Sequence, residues 1–166
     1  MAAADHSPES VAYVESQLKG RPGFLGAFVV SDDEAPGQKF DAIFVIEVIE
    51  HLTDPALGEL FDRVARFAAP GALVVMTTPN REQLEKKMVF CPACNHALHR
   101  WGHVRSWSDE SLGMTVRNQG WEVVATLVTN FPKIIPGRPW KSLRNRVEAM
   151  LSTRKPHLAI DCRVPG

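Results

Sequence analysis

The stretch Phe40-Asp41-Ala42-Ile43-Phe44-Val45-Ile46-Glu47-Val48-Ile49-Glu50-His51 decides the fold. It opens as a continuous apolar run, the pattern of a strand covered by protein on both faces. Its last five residues then supply two carboxylates and an imidazole, Glu47, Glu50 and His51. In open α/β sheets ligands bind in the crevice beyond the carboxyl ends of the strands. A segment that only packs has no use for such groups there, so chemistry is expected at this strand end.

Elements alternate outward from it. Ser7-Pro8 starts a helix, a capping side chain followed by proline at the first helical position, and Gly20-Arg21-Pro22-Gly23 stops it. Residues 24–30 are apolar and fit a strand, and residues 32–37 form an acidic turn. From Asp54-Pro55 onward Leu57, Leu60, Phe61, Val64 and Phe67 recur at helical spacing. Ala69-Pro70-Gly71 ends that helix and opens a strand over 72–77, with Thr78-Pro79-Asn80 at its carboxyl end. Residues 81–106 are rich in Cys, His, Arg and Trp, show neither helix nor sheet periodicity, and are expected to be an insertion within a single domain of 166 residues. Trp107 anchors and Ser108 caps a further helix that ends at Asn118-Gln119-Gly120, and residues 121–128 read as a strand. A basic, proline-containing stretch carries a short helical pattern at Leu143, Val147 and Leu151, and residues 157–164 make a final strand that can pair antiparallel with the one before. This alternation predicts an α/β fold with a mainly parallel sheet.

Composition narrows the function classes. The formal net charge is zero, so no global field draws the chain to nucleic acid or to a membrane surface. No apolar run approaches the length of a membrane span, and the first residues lack the marks of a signal peptide. Three cysteines, two in a Cys-x-x-Cys, fit a reducing compartment better than a disulfide framework, and a cytoplasmic location is expected.

Several motifs, in order, resemble the class I S-adenosylmethionine-dependent methyltransferases. Asp5-His6-Ser7-Pro8-Glu9-Ser10-Val11 is similar to that family's D-x-S-P-E-x-V step, Glu47-Val48-Ile49-Glu50-His51-Leu52 to its E-V-x-E-H-L, Pro70-Gly71-Ala72-Leu73 to its K-P-G-G-x-L turn and Thr78-Pro79-Asn80 to its T-P-N exit. The resemblance covers roughly residues 5 to 128 and implies a Rossmann-like sheet. It assigns Asp5 to the cofactor's ribose hydroxyls, because a carboxylate accepts two hydrogen bonds from a vicinal diol. It sets Asp32 or Asp33 on the adenine side, although both also read as a plain acidic turn, and Glu47 beside the methyl-transfer crevice. The family's first strand and its E/D-x-G-x-G-x-G loop have no counterpart. The expectation is therefore a body lacking its first strand, with exposed inner strand edges and an incomplete cofactor cradle.

Two metal readings compete. The small-RNA 3′-terminal ribose 2′-O-methyltransferases join an E-x-x-E-H to a distant histidine, in a pattern like H-x-x-x-W-[ST]-x-E-x-[LF]. The run from His103 to Leu112 is similar at each of those points. This resemblance implies Mg²⁺ or Mn²⁺ near Glu47, Glu50, His51 and His103, holding a ribose diol. The same E-V-x-E-H also occurs in small-molecule methyltransferases without a metal, where Glu50 caps the next helix and His51 packs or orients substrate. The second reading is zinc at the insertion, because Cys91-Pro92-Ala93-Cys94-Asn95 looks like a zinc knuckle and C-x2-C-x4-H-x3-H through His99 and His103 approaches a four-ligand site. Two thiols in a loop, without metal, are the plainer alternative.

The expected activity is O-methylation of a small-molecule or sugar hydroxyl, with Glu47 and His51 on the acceptor side and His103 closing it. RNA is the less favoured acceptor given the neutral charge, and a non-catalytic, zinc-stabilised binding scaffold is the rival from another class. Lys133, Arg138, Lys141, Arg144, Arg146, Arg154 and Lys155 could grip phosphates or simply form a solvated face. Cys162 is expected in the core.

Overall fold

Ser7 supplies the first fixed point of the chain, its side chain accepting the Ser10 N–H at 3.1 Å while Pro8 opens the helix α1 (Pro8–Leu18). The computed structural model describes residues 1–30, 37–131, 139–153 and 156–166. Asp32 and Asp33 lie outside the described residues, as do Lys133, Arg138, Arg154 and Lys155 of the basic stretch. The chain forms two compact units, residues 1–38 and 39–166. In the first, α1 connects two short strands, β1 (Ala2–Asp5) and β2 (Gly26–Val29), which pair in parallel from Ala2↔Gly26 to Asp5↔Val29. The Glu15 carboxylate accepts the Ala27 N–H at 2.9 Å and ties α1 to β2.

The second unit holds a four-stranded sheet. Its strands are β3 (Phe40–Ile46), β4 (Ala68–Pro79), β7 (Glu122–Thr129) and β8 (His157–Arg163), in the order β3-β4-β8-β7. Parallel neighbours need a crossover, and α2 (Asp54–Phe67) provides it between β3 and β4. Strand β8 runs antiparallel between β4 and β7, so the last two strands pair antiparallel as expected. Helix α2 turns Leu57, Phe61 and Val64 into the core, α3 (Asp109–Asn118) adds Leu112 and Val116, and Val74, Met76, Leu158, Ile160 and Cys162 meet them from the strands. Phe61 meets Trp121 edge to face at 5.2 Å, and burying a phenyl ring of this kind stabilises by about 1.5–3 kcal/mol. Cys162 is buried as expected, its thiol pointing to the Val74 carbonyl. Helix α4 (Pro139–Leu151) completes the main elements, and among the described residues no helix is long and apolar enough to cross a membrane.

Three expectations need revision. The apolar run of β3 predicts a strand covered on both sides, yet β3 is an outer strand paired with β4, and Phe44 and Ile46 are exposed. Strand β4 begins at Ala68 rather than residue 72, because Phe40 pairs with Ala68 and the register then jumps to Ala42↔Leu73. Gly71, with φ of 73°, makes that irregularity possible, since it adopts a backbone conformation disfavoured for other residues. Residues 81–106 carry no periodicity but do contain a 3-10 turn (Leu84–Lys87) and a hairpin of β5 (Met88–Cys91) and β6 (His96–His99). Strands of four residues are too short to display an alternation.

Candidate active site at the ends of β3 and β4

The register Ile46↔Thr77 brings the carboxyl ends of β3 and β4 together. Glu47 takes the first position past β3 with φ of 52°, a left-handed conformation that a non-glycine residue adopts only where its surroundings hold it. Thr77 does the holding: its carbonyl accepts the Glu47 N–H at 3.0 Å, and its hydroxyl donates to the Glu47 carboxylate at 2.9 Å. The Glu47 side chain is exposed. Glu50 is the opposite case, only 2% exposed, with the fully buried Thr78 hydroxyl donating to it at 3.1 Å. Burial, reinforced by the charge of Glu47, holds the Glu50 carboxyl above the usual range against its hydrogen bonds and the nearby His51. His51 follows with its Nε2 4.0 Å from Glu50 Oε1, and its side chain is 40% exposed.

The insertion is clipped onto this loop by its own backbone. The Val104 N–H donates to the Glu50 carbonyl at 2.9 Å, and Arg105 donates to the Leu52 carbonyl at 2.7 Å and to Asp54 at 2.8 Å. At the other side the Arg81 N–H reaches the Trp107 carbonyl at 2.7 Å, and Trp107 is buried as the expected anchor of α3. These ties set His103 against His51, edge to face at 4.7 Å. Glu50, His51 and His103 then offer ligand-type atoms all within 4.8 Å of one another.

Behind His103 lies a second buried group. Glu82 hydrogen-bonds His103 Nδ1 through one carboxylate oxygen and Lys87 Nζ, at 2.6 Å, through the other. Burial alone would raise the Glu82 carboxyl, but the hydrogen bonds and charges of Lys87 and His103 outweigh it and hold it below the usual range. His99 stacks on His103 at 4.6 Å, and its Nδ1 accepts the backbone N–H groups of His103 at 3.1 Å and Trp101 at 3.4 Å.

The same core of motifs marks the family. A sequence profile for a methyltransferase domain matches residues 4–126. The chain belongs to the methyltransferase-domain family. No curated protein matches it in sequence at a significant level. Solved structures agree on the fold. An S-adenosylmethionine-dependent methyltransferase from Mesorhizobium loti is 14% identical with a TM-score of 0.65, covering 98% of this chain and 79% of its own. The N-methyltransferase NodS from Bradyrhizobium japonicum is 17% identical with a TM-score of 0.58, covering 99% and 73%. The glycopeptide N-methyltransferase MtfA, solved with S-adenosylmethionine, is 13% identical with a TM-score of 0.61, covering 99% and 72%. The α/β fold is thus of the class I methyltransferase type. The [4+2]-cyclase SpnF shares it at a TM-score of 0.61, so the fold by itself does not name the reaction.

Within this methyltransferase domain the predicted residues fall into separate places. Asp5 is exposed at the carboxyl end of β1 in the first unit, one oxygen accepting the Ser7 N–H at 2.8 Å. The structure gathers Glu50, His51 and His103, while Glu47 stands apart on Thr77. The four-ligand zinc set Cys91, Cys94, His99 and His103 is not gathered. The hairpin register sets Cys91 opposite His96 at the tip and His99 opposite Met88 at the base, roughly 10 Å apart along the strand. Among the described residues no cysteine joins a group of three ligand-type side chains. His99 and His103 instead stand with Glu82 in a second group whose ligand-type atoms lie within 4.8 Å of one another.

Glu82 is the residue that sequence reasoning passes over. Its one available signal is position, since it follows the carboxyl end of β4 as Glu47 follows that of β3.

Proposed function

We propose that residues 1–166 work as one methyltransferase-like domain, with 81–106 as its insertion, and transfer the methyl group of S-adenosylmethionine to a hydroxyl of a small molecule or sugar. Support comes from family membership and, for the acceptor, from one observation: two imidazoles and a carboxylate converge within 4.8 Å at the strand ends. The exposed carboxylates Asp5 and Glu47 suit a cofactor with a ribose diol and a cationic sulfonium. Asp5 is assigned the diol and Glu47 the crevice side.

When bound, S-adenosylmethionine would supply a methyl carbon on a positively charged sulfur that can leave with the bonding pair. An alcohol must lose its proton in that step, and an amine acceptor can do without a base. His103 takes the proton on Nε2, while His51, open to solvent, orients the acceptor. Glu50 closes the far side, its carboxyl held above the usual range by burial. The setting proposed is cytoplasmic, where Cys91 and Cys94 stay thiols.

A second reading rests on the same triad. A carboxylate and two imidazoles suit Mn²⁺ or another borderline cation better than Mg²⁺, and such an ion could hold the terminal ribose of an RNA. Transfer of labelled methyl from S-adenosylmethionine to panels of hydroxyl, amine and RNA acceptors, with and without chelator, separates the possibilities. Expected are a chelator-insensitive hydroxyl product and a loss of roughly 10²–10⁴-fold in His103→Ala at unchanged S-adenosylhomocysteine affinity. Methylation of amines alone, at the same rate in His103→Ala, would overturn the reading.

A further inference from the structure

The buried carboxylate behind His103 has no role in the preceding scheme, yet both of its oxygens are hydrogen-bonded. Glu82 is only 4% exposed, and each of its oxygens has its own donor, Lys87 Nζ on Oε1 and His103 Nδ1 on Oε2. An ionised carboxylate only accepts hydrogen bonds, so the nitrogen facing it must carry the hydrogen. The neutral imidazole of His103 then has its lone pair on Nε2. A carboxylate behind a histidine is a recurrent device for setting which nitrogen is the base, and the low dielectric of a buried site strengthens the bond.

We propose that Glu82 is the positioning residue of His103, holding its ring in the Nδ1–H form so that Nε2 serves the side shared with Glu50 and His51. The functional part of this rests on His103 being the base of the proposed transfer. During that transfer the proton of the acceptor hydroxyl moves to Nε2, the Nδ1–H bond to Glu82 stays in place, and the new positive charge sits beside the carboxylate. The proton then leaves Nε2 for water.

Among the described residues, titratable groups from three segments face the ring. Glu82 and Lys87 come from the segment that includes the 3-10 turn, His99 from β6, and Glu50 and His51 from the loop after β3. Lys87 occupies the Glu82 oxygen that would otherwise attract His99, whose Nε2 stays 3.8 Å away. Of the two imidazoles, His99 accepts backbone N–H groups through Nδ1, and His103 is the one hydrogen-bonded to the carboxylate.

Long-range ¹H–¹⁵N correlation spectra of the intact protein, assigned by loss of the His103 signals in His103→Gln, test this without any variant at Glu82. The expected pattern is the Nδ1–H form for neutral His103. The Nε2–H form would overturn the proposal whatever the activity. In Glu82→Gln, whose amide can donate as well as accept, the Nδ1–H preference is expected to weaken. There kcat should fall roughly 10²–10⁴-fold, with acceptor KM and S-adenosylhomocysteine affinity within about twofold. Unchanged kcat in Glu82→Gln, beside a damaged His103→Ala, would also overturn it. A fully active His103→Ala would instead refute the base assignment, and the wild-type spectrum would still decide the Glu82 bond.

Discussion

Replacing Glu50 with glutamine removes a buried charge while keeping the side-chain volume and an acceptor oxygen for Thr78. Burial first, and then the charge of Glu47, raises the folded-state value of this carboxyl. The folded protein therefore holds the proton to higher pH than the unfolded chain does. Stability falls as pH rises from the ordinary carboxylate range, about 4.3, through the raised folded value. Wild type carries this penalty at pH 7.5 and glutamine does not, so Glu50→Gln should be at least as stable there and should lose any advantage near pH 4. Glu50→Ala is different, because it strips the acceptor from a hydroxyl with no solvent access. Leaving that donor unsatisfied costs about 1–3 kcal/mol, before any void is counted. With a urea slope of about 2 kcal/mol/M, the alanine and glutamine midpoints at pH 7.5 should lie roughly 1 M apart. Tryptophan fluorescence during urea unfolding at both pH values reads this directly. A glutamine variant less stable than wild type by the same margin at pH 4 and pH 7.5 would refute the argument, since its deficit would not follow the charge.

The thiols should divide by environment. Hydrogen bonds from the Cys94 backbone N–H and thiol, then from the Ala93 N–H, hold Cys91 below the usual thiol range, whereas burial pushes Cys162 up to about 12. Iodoacetamide at pH 7 followed by peptide mass mapping should mark Cys91 in the native protein and Cys162 only in urea, and equal labelling of the two in the native state would contradict this. At Glu47 a glycine would relieve a left-handed backbone, a gain of about 1–2 kcal/mol, and would lose the Thr77 bond, a cost of about 0.5–1.5 kcal/mol. Glu47→Gly should therefore stay within about 1 kcal/mol of wild type in urea while methyl transfer drops at least about tenfold. A variant that unfolds easily and keeps its activity would show that Glu47 serves structure alone.

Most of the elements were readable because the chain punctuates them chemically. Ser7-Pro8 and Ser108 each cap the helix they were expected to start, and Leu57, Phe61 and Val64 mark the buried face of α2 at helical spacing. What misled was the inference from apolarity to burial. The side chains of β3 read as a covered strand, but coverage depends on which strands lie alongside, and that information is not local. The start of β4 failed for a related reason. A proline and glycine normally signal a turn, and here Phe40 pairs with Ala68 across them and draws both into the strand as an irregularity.

The site was legible in its residue types and less so in its grouping. Glu50, His51 and His103 come together because Val104 and Arg105 are bonded to the loop after β3, contacts that join residues more than fifty positions apart. The spacing of the cysteines and histidines suggests one zinc site, but the register of the hairpin sets Cys91 opposite His96 at its tip and His99 opposite Met88 at its base. A ligand pattern in sequence specifies a site only if the fold brings all its members to one place, and the antiparallel register of β5 and β6 sets Cys91 and His99 at opposite ends of the hairpin. Once the cysteines are set apart, His103 has a different partner, the carboxylate of Glu82 from the segment between β4 and the 3-10 turn. The insertion thus carries a carboxylate–imidazole pair, Glu82 and His103, and its attachment to the loop after β3 sets that pair beside Glu50 and His51.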